Sequence, residues 1–149
     1  MSVEHRLTEL GIELPETVGP AANYVRYQTT GNLLYISGTG PGAGHKTGKV
    51  GADVSLEDAY AAARACGLQL LATAREALGS LDRITKTVKV LGMVNAVPEF
   101  GDQPKVINGC SDLLVEVLGE AGRHTRSAVG MGSLPNGISV EIEATFEFE

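Results

Sequence analysis

Apolar positions along the chain follow two periods. From Leu56 to Leu78 they recur at helical spacing, with Leu56, Tyr60, Ala63, Gly67, Leu70, Leu71, Ala74 and Leu78 on one stripe. Ser55 with Asp58 three residues later resembles a capping box, so a long helix is predicted to begin there. A second stripe follows Pro104 and runs through Val106, Ile107, Cys110, Leu113, Leu114, Val117 and Leu118. Elsewhere the signal is extended. "NYVRYQTT" and "LLYISG", separated by Gly31 and Asn32, predict two strands in a hairpin. The β-branched run "ITKTVKVLGMV" reads as a central strand. Ser127–Met131 and Ile138–Phe148 read as the last two, and "SVEHRLTELG" as a short N-terminal helix before a Pro- and Gly-containing connection.

The element order is therefore ββαβαββ, an α+β arrangement in one domain over residues 1–149. Each helix has a single apolar stripe and can cover one sheet face only. The opposite face then needs another partner, and self-association would supply it.

The last strand alternates without an error. Val140, Ile142, Ala144, Phe146 and Phe148 interleave with Glu141, Glu143, Thr145, Glu147 and Glu149. "GSLPNG" joins it to the preceding strand, and the two are expected to pair as an antiparallel hairpin. Burying Val129 and Met131 beside Val140 and Ile142 fixes the parity, which aims Arg126 at Glu141 or Glu143. Two readings stay open. The pair could be an exposed ion pair worth roughly 0–1 kcal/mol, with the other glutamates solvated. Alternatively, Arg126 could be a bidentate fork for a ligand carboxylate, with Glu141 beside it to orient water or move a proton.

Charge and composition narrow the function. A formal net charge of −6 argues against a phosphate-backbone binder, yet leaves room for a small basic pocket. Cys66 and Cys110 are expected as buried, reduced thiols. The N-terminal "MSVEHRLTELGIELP" lacks an apolar signal region and no stretch approaches transmembrane length, so a cytoplasmic protein without a membrane partner is expected. The run "SGTGPGAGHKTGKVG" fails as a phosphate loop, because Ala43 and Val50 stand where glycine and Ser/Thr are required. It reads as a flexible connection. His5, His45 and His124 have no metal-ligand spacing, so no metal is expected. Ser37 has no G-x-S-x-G elbow around it.

The block "TRSAVGMGSLPNGISVEIEA" resembles the signature of the RidA/YjgF/L-PSP family, roughly R-S-x-V…L-P…V-E-I-E-A. The similarity continues through "GNLLYISG", the long helix, "KTVKV" and the asparagine of "VINGCSDLL", over about residues 20–149, leaving 1–19 as an N-terminal extension. The resemblance implies a chorismate-mutase-like ββαβαββ fold, a mixed sheet with two helices on one face, and a homotrimer whose sites lie between subunits. It further implies hydrolysis of reactive 2-imino and 2-enamino acids to 2-keto acids and ammonia, with no cofactor. Position by position, the family's carboxylate-binding arginine falls on Arg126 and its glutamate near the catalytic water on Glu141. The pocket tyrosine matches Tyr24, the strand end matches Ser37 and Gly38, and the helix asparagine matches Asn108.

Departures mark a divergent subgroup. Ala128 stands where many members have cysteine, Thr39 where glutamine is common, and both the Gly-rich loop and "GMVNAVPEFGDQP" are altered. Two other functions compete: a non-catalytic sensor of small carboxylates using the same pocket, and the endoribonuclease activity of an older family name. The acidic chain lacks interleaved basic and aromatic residues for an RNA-binding face, which weighs against the last.

Overall fold

The elements appear in the predicted order. In a computed structural model that describes residues 2–149, α1 spans Val3–Glu9, β1 Tyr27–Thr30, β2 Leu33–Thr39, α2 Leu56–Leu78 and β3 Ile84–Asn95. They are followed by α3 (Gln103–Leu118), β4 (Thr125–Met131) and β5 (Val140–Phe148). Ser55 caps α2 by accepting a hydrogen bond from the Asp58 N–H at 3.1 Å, and Gly79 ends it in the left-handed conformation. The N-terminal helix is docked: Leu7 is buried in the core, and Glu4 accepts from Arg75 at 2.7 Å and from the Leu81 N–H at 2.9 Å.

The strands form one mixed sheet in the order β1-β2-β5-β3-β4. β3 is an interior strand as expected, flanked by β5 and β4. Here the structure corrects one expectation: the β4–β5 hairpin does not exist. Instead β4 pairs with β3 in parallel, connected through α3, while β5 runs antiparallel to both β2 and β3. Residues 132–139 carry the chain across the end of β3, so β5 runs back beside β3 and not beside β4. Asn95, the last residue of β3, holds this crossing: its N–H donates to the Ser139 carbonyl at 2.8 Å, and its Nδ2 donates to the Ile138 carbonyl at 3.3 Å.

Helices α2 and α3 cover one face of the sheet. They approach closely where Gly109 passes the backbone of Tyr60, a contact that leaves no room for a Cβ. Phe146, Leu34, Leu70, Leu71, Ile107 and Ile142 are fully buried between helices and sheet. Cys66 and Cys110 lie in the same layer as free thiols. Burial pushes both thiols up, Cys110 to about 12, so both stay protonated and unreactive. Among the described residues no helix lies on the other face, where Tyr35 and Val129 remain 46% and 38% exposed. No helix is long and apolar enough to cross a membrane among the described residues.

The Gly-rich connection is tied down rather than loose. Lys49 donates from Nζ to the Asn95 Oδ1 at 3.0 Å and to the Gly132 carbonyl at 2.5 Å. Val50 is fully buried, and its N–H donates to the Asn95 carbonyl at 2.8 Å. One buried asparagine therefore fastens both loops at this end of the sheet.

Candidate functional site

Strand register decides where the two key side chains point. Arg126 pairs with Val90, which pairs in turn with Ala144; both neighbours are buried under the helices. Residues opposed across a sheet share a face. Arg126 therefore projects to the helix side. Glu141 pairs with Met93 and through it stands level with the exposed Val129, so it projects to the open side. The expected juxtaposition of Arg126 with Glu141 or Glu143 is thus overturned within one chain. The two lie two strands apart, about 10 Å by strand spacing alone, on opposite faces. Parity fixes which residues share a face only between strands that pair, and β4 and β5 do not.

On the helix side, Arg126 joins a cleft lined by Asn108, Ser111, Val115, Arg123 and His124. Asn108, Ser111 and Val115 are spaced by three and four residues on α3 and so present one face. Arg126 donates from Nη1 to Ser111 Oγ at 3.1 Å and from Nη2 to the Pro104 carbonyl at 3.4 Å. Two of its five N–H donors are taken, and three remain for a ligand, enough for two parallel bonds to one carboxylate. The cleft's lining includes two arginines and a histidine but no carboxylate. In a chain of net charge −6, that is a local inversion suited to an anion.

Ser111 and His124 form a hydrogen-bonded chain behind the arginine. His124 Nε2 lies 2.8 Å from Ser111 Oγ, and its Nδ1 lies 2.6 Å from the Gly122 carbonyl. A carbonyl only accepts, so Nδ1 carries a proton. In the neutral ring Nε2 then accepts from the serine hydroxyl, whose oxygen in turn accepts from Arg126. Sequence reasoning missed both residues. The available signal was the i, i+3 spacing of Asn108 and Ser111 and the position of His124 two residues before Arg126.

On the open side, Ser37, Gly38 and Glu141 come together. A Cβ at Gly38 would lie 2.5 Å from Glu141 Oε2 and 3.1 Å from its Cδ, so with the carboxylate where it stands there is no room for a side chain. Ser37 donates from Oγ to the Val25 carbonyl at 2.7 Å, fixing the end of β2 against the segment before β1. Burial pushes the Glu141 carboxyl up, and the charge of Glu143 adds to the shift. Tyr24 is 45% exposed and is absent from the Arg126 cleft lining; it immediately precedes Val25, whose carbonyl Ser37 holds. Five of the six sequence-derived site residues thus fall into two half-sites, Arg126 with Asn108 and Ser37 and Gly38 with Glu141.

A second cleft, lined by Gly19, Pro20, Val25, Arg26, Tyr27, Gln28 and Glu76, is internally paired. Arg26 donates to the Val18 carbonyl, to Thr73 Oγ1 at 2.8 Å and to Glu76 Oε2 at 3.1 Å, which reads as a structural clasp. Among the described residues no cluster of His, Cys, Asp and Glu could hold a metal ion.

Comparison with known proteins places the chain in a family. A family described as "YjgF/chorismate mutase-like, putative endoribonuclease" matches residues 4–139. Protein TCP17 of Trypanosoma cruzi is 45% identical over 149 residues, covering 97% of this chain and 93% of that protein. A protein of unknown function from Agrobacterium tumefaciens has a crystal structure with a TM-score of 0.90 and 48% identity, over 99% of this chain and 92% of that one. A "putative endoribonuclease" from Shewanella oneidensis superposes with a TM-score of 0.94 at 34% identity, over 99% of this chain and all of the other. That coverage includes the docked N-terminal helix. The match over residues 4–139 and the close superposition of the mixed ββαβαββ sheet show that this chain belongs to the YjgF/chorismate mutase-like family.

Proposed function

We propose that this protein hydrolyses reactive 2-imino and 2-enamino acids to 2-keto acids and ammonia. The observation that carries the reading is the Arg126 cleft: a half-buried guanidinium with three uncommitted donors in an otherwise acidic chain. An imine is already electrophilic, so holding its carboxylate and delivering water provide much of the required catalysis. Glu141 supplies the water-orienting carboxylate. Burial first, and then the charge of Glu143, push its carboxyl up, the direction that makes it a better acceptor for a proton from water. No cofactor enters the scheme.

Arg126 and Glu141 project from opposite faces of one sheet, so we assign the complete site to neighbouring copies. One copy contributes Arg126 and Asn108, the other Ser37, Gly38 and Glu141. The uncovered face bearing Tyr35 and Val129 supports self-association, and we propose a homotrimer.

One observation favours a second reading, a non-catalytic sensor of small carboxylates. The Arg126 cleft holds its donors within a single chain and does not need Glu141 to bind an anion. A coupled assay separates the two. An amino-acid oxidase generates imines from several amino acids, and added protein should accelerate keto-acid release and reduce semicarbazone trapping. Binding without acceleration supports the sensor. Cleavage of single-stranded RNA that is lost in Arg126→Ala would support the endoribonuclease reading instead.

A further inference from the structure

The Arg126 half-site contains its own route for a proton, although the sequence signature assigned only arginine and asparagine there. Among the residues lining the cleft, His124 is the one side chain with a ring nitrogen able both to accept and to donate a proton. Its ring is not free. The Gly122 carbonyl holds Nδ1–H at 2.6 Å, which aims Nε2 at Ser111 Oγ, 2.8 Å away. Ser111 stands beside the guanidinium at 3.1 Å from Nη1, and so beside any carboxylate that Arg126 holds. A base oriented by a third group and hydrogen-bonded to a hydroxyl at the substrate is the arrangement proton transfer requires.

We infer that Ser111 and His124 form a relay that protonates the departing nitrogen in the reaction proposed above, an inference that rests on that reading. Water adds to the iminium carbon as its proton passes to Glu141, giving a neutral carbinolamine. Imidazolium at His124 then donates from Nε2–H to Ser111 Oγ while the serine hydroxyl proton moves to the carbinolamine nitrogen. The C–N bond breaks with its electron pair on nitrogen, and the remaining hydroxyl proton leaves with ammonia as ammonium. The keto acid forms, and solvent returns the proton from Glu141 to His124. Acid and base thereby act from opposite half-sites. This division fits the separation of Glu141 from the cleft.

The test uses the intact oligomer with oxidase-generated imine and the variants Ser111→Ala, Ser111→Thr, His124→Gln and the Ser111→Ala/His124→Gln double. The relay predicts a fall in kcat of about 10²-fold or more for the alanine and glutamine variants, with KM held within about twofold. Ser111→Thr keeps the hydroxyl and should retain most of the rate. The double variant should be no slower than the slower single, because the two act as one unit. The alkaline limb of the kcat profile should vanish in His124→Gln. A rise in KM with unchanged kcat, or an unchanged pH profile, would overturn the relay and leave a merely structural support for Arg126. Wild-type turnover with an inert Arg126→Ala beside a fully active Ser111→Ala sinks the relay alone. Absence of wild-type turnover removes the relay and the deaminase reading together.

Discussion

Arg126 and Glu141 occupy opposite faces of the same sheet with β3 between them. One chain therefore cannot place both against one substrate, and the proposed activity depends on contact between copies. Complementation tests this directly. Arg126→Ala and Glu141→Gln should each be nearly inactive alone. Refolded together in equal amounts, they should regain about one quarter of wild-type turnover, since that fraction of interfaces pairs an intact arginine with an intact glutamate. Sedimentation should give three times the 15.6 kDa chain mass. Monomer mass, or a mixture no more active than its parents, would rule out the shared site.

Gly38 offers a sharper probe of the Glu141 half-site. A Cβ there would lie 2.5 Å from the carboxylate oxygen, so Gly38→Ala must displace Glu141 or the strand end. The atoms met belong to the end of a flexible, half-exposed side chain that can swing aside, so any loss of melting temperature should be small. Turnover should fall well beyond what that stability loss explains, while carboxylate binding by Arg126 stays intact. Calorimetric titration with a keto acid beside the coupled assay would separate these effects. Equal losses of binding and turnover would count against the two-half arrangement.

Much of this fold was legible in the sequence because its elements announce themselves locally. The stripe from Leu56 to Leu78, the Ser55 cap and the alternation from Val140 to Phe148 each depend on periodicity alone, and each element formed as expected. Strand adjacency depends on where the chain goes between elements. The short "GSLPNG" link looked like a hairpin because neighbouring strands usually pair. What diverts it is Asn95, buried at the end of β3 and bonded to both the Gly-rich loop and residues 138–139. Nothing at position 95 in the sequence signals five tertiary partners, Gly48, Lys49, Val50, Ile138 and Ser139. For the same reason Ser111 and His124 were invisible: their link to each other and to Arg126 is made only by the packing of α3 beside β4.

The Glu141 carboxyl also makes a prediction about stability. Its folded pKa is raised above the ordinary 4.5, chiefly by burial and then by Glu143. A raised acid favours the folded state only while protonated, so that contribution is present below 4.5 and is lost as pH rises through the folded value. At neutral pH the ionised group is a local liability. Glu141→Gln should therefore melt higher than wild type at pH 7, and the difference should shrink towards acid pH. Partial solvent exposure keeps the effect small, and melting curves across pH would detect it. A glutamine variant less stable than wild type at neutral pH would mean that Glu141 makes favourable contacts in the assembled protein.

The last prediction concerns the geometry of the Arg126 fork. With Nη1 committed to Ser111 and Nη2 to the Pro104 carbonyl, the guanidinium is held in one plane with three donors left over. Arg126→Ala should abolish both carboxylate binding and turnover while leaving the oligomer and fold in place. Arg126→Lys retains the charge, but its ammonium cannot span two protein partners and two ligand oxygens at once. It should recover little affinity and less turnover. Glu141→Gln should separate the roles, keeping affinity and losing rate. Glu143→Gln should change neither much, because that side chain is exposed on the open face. Affinity and turnover for these four variants, beside their melting temperatures, distinguish a ligand fork from a structural contact. A structural Arg126 would lower the melting temperature on truncation and leave keto-acid affinity unchanged. A ligand fork would lose affinity by orders of magnitude with little change in melting.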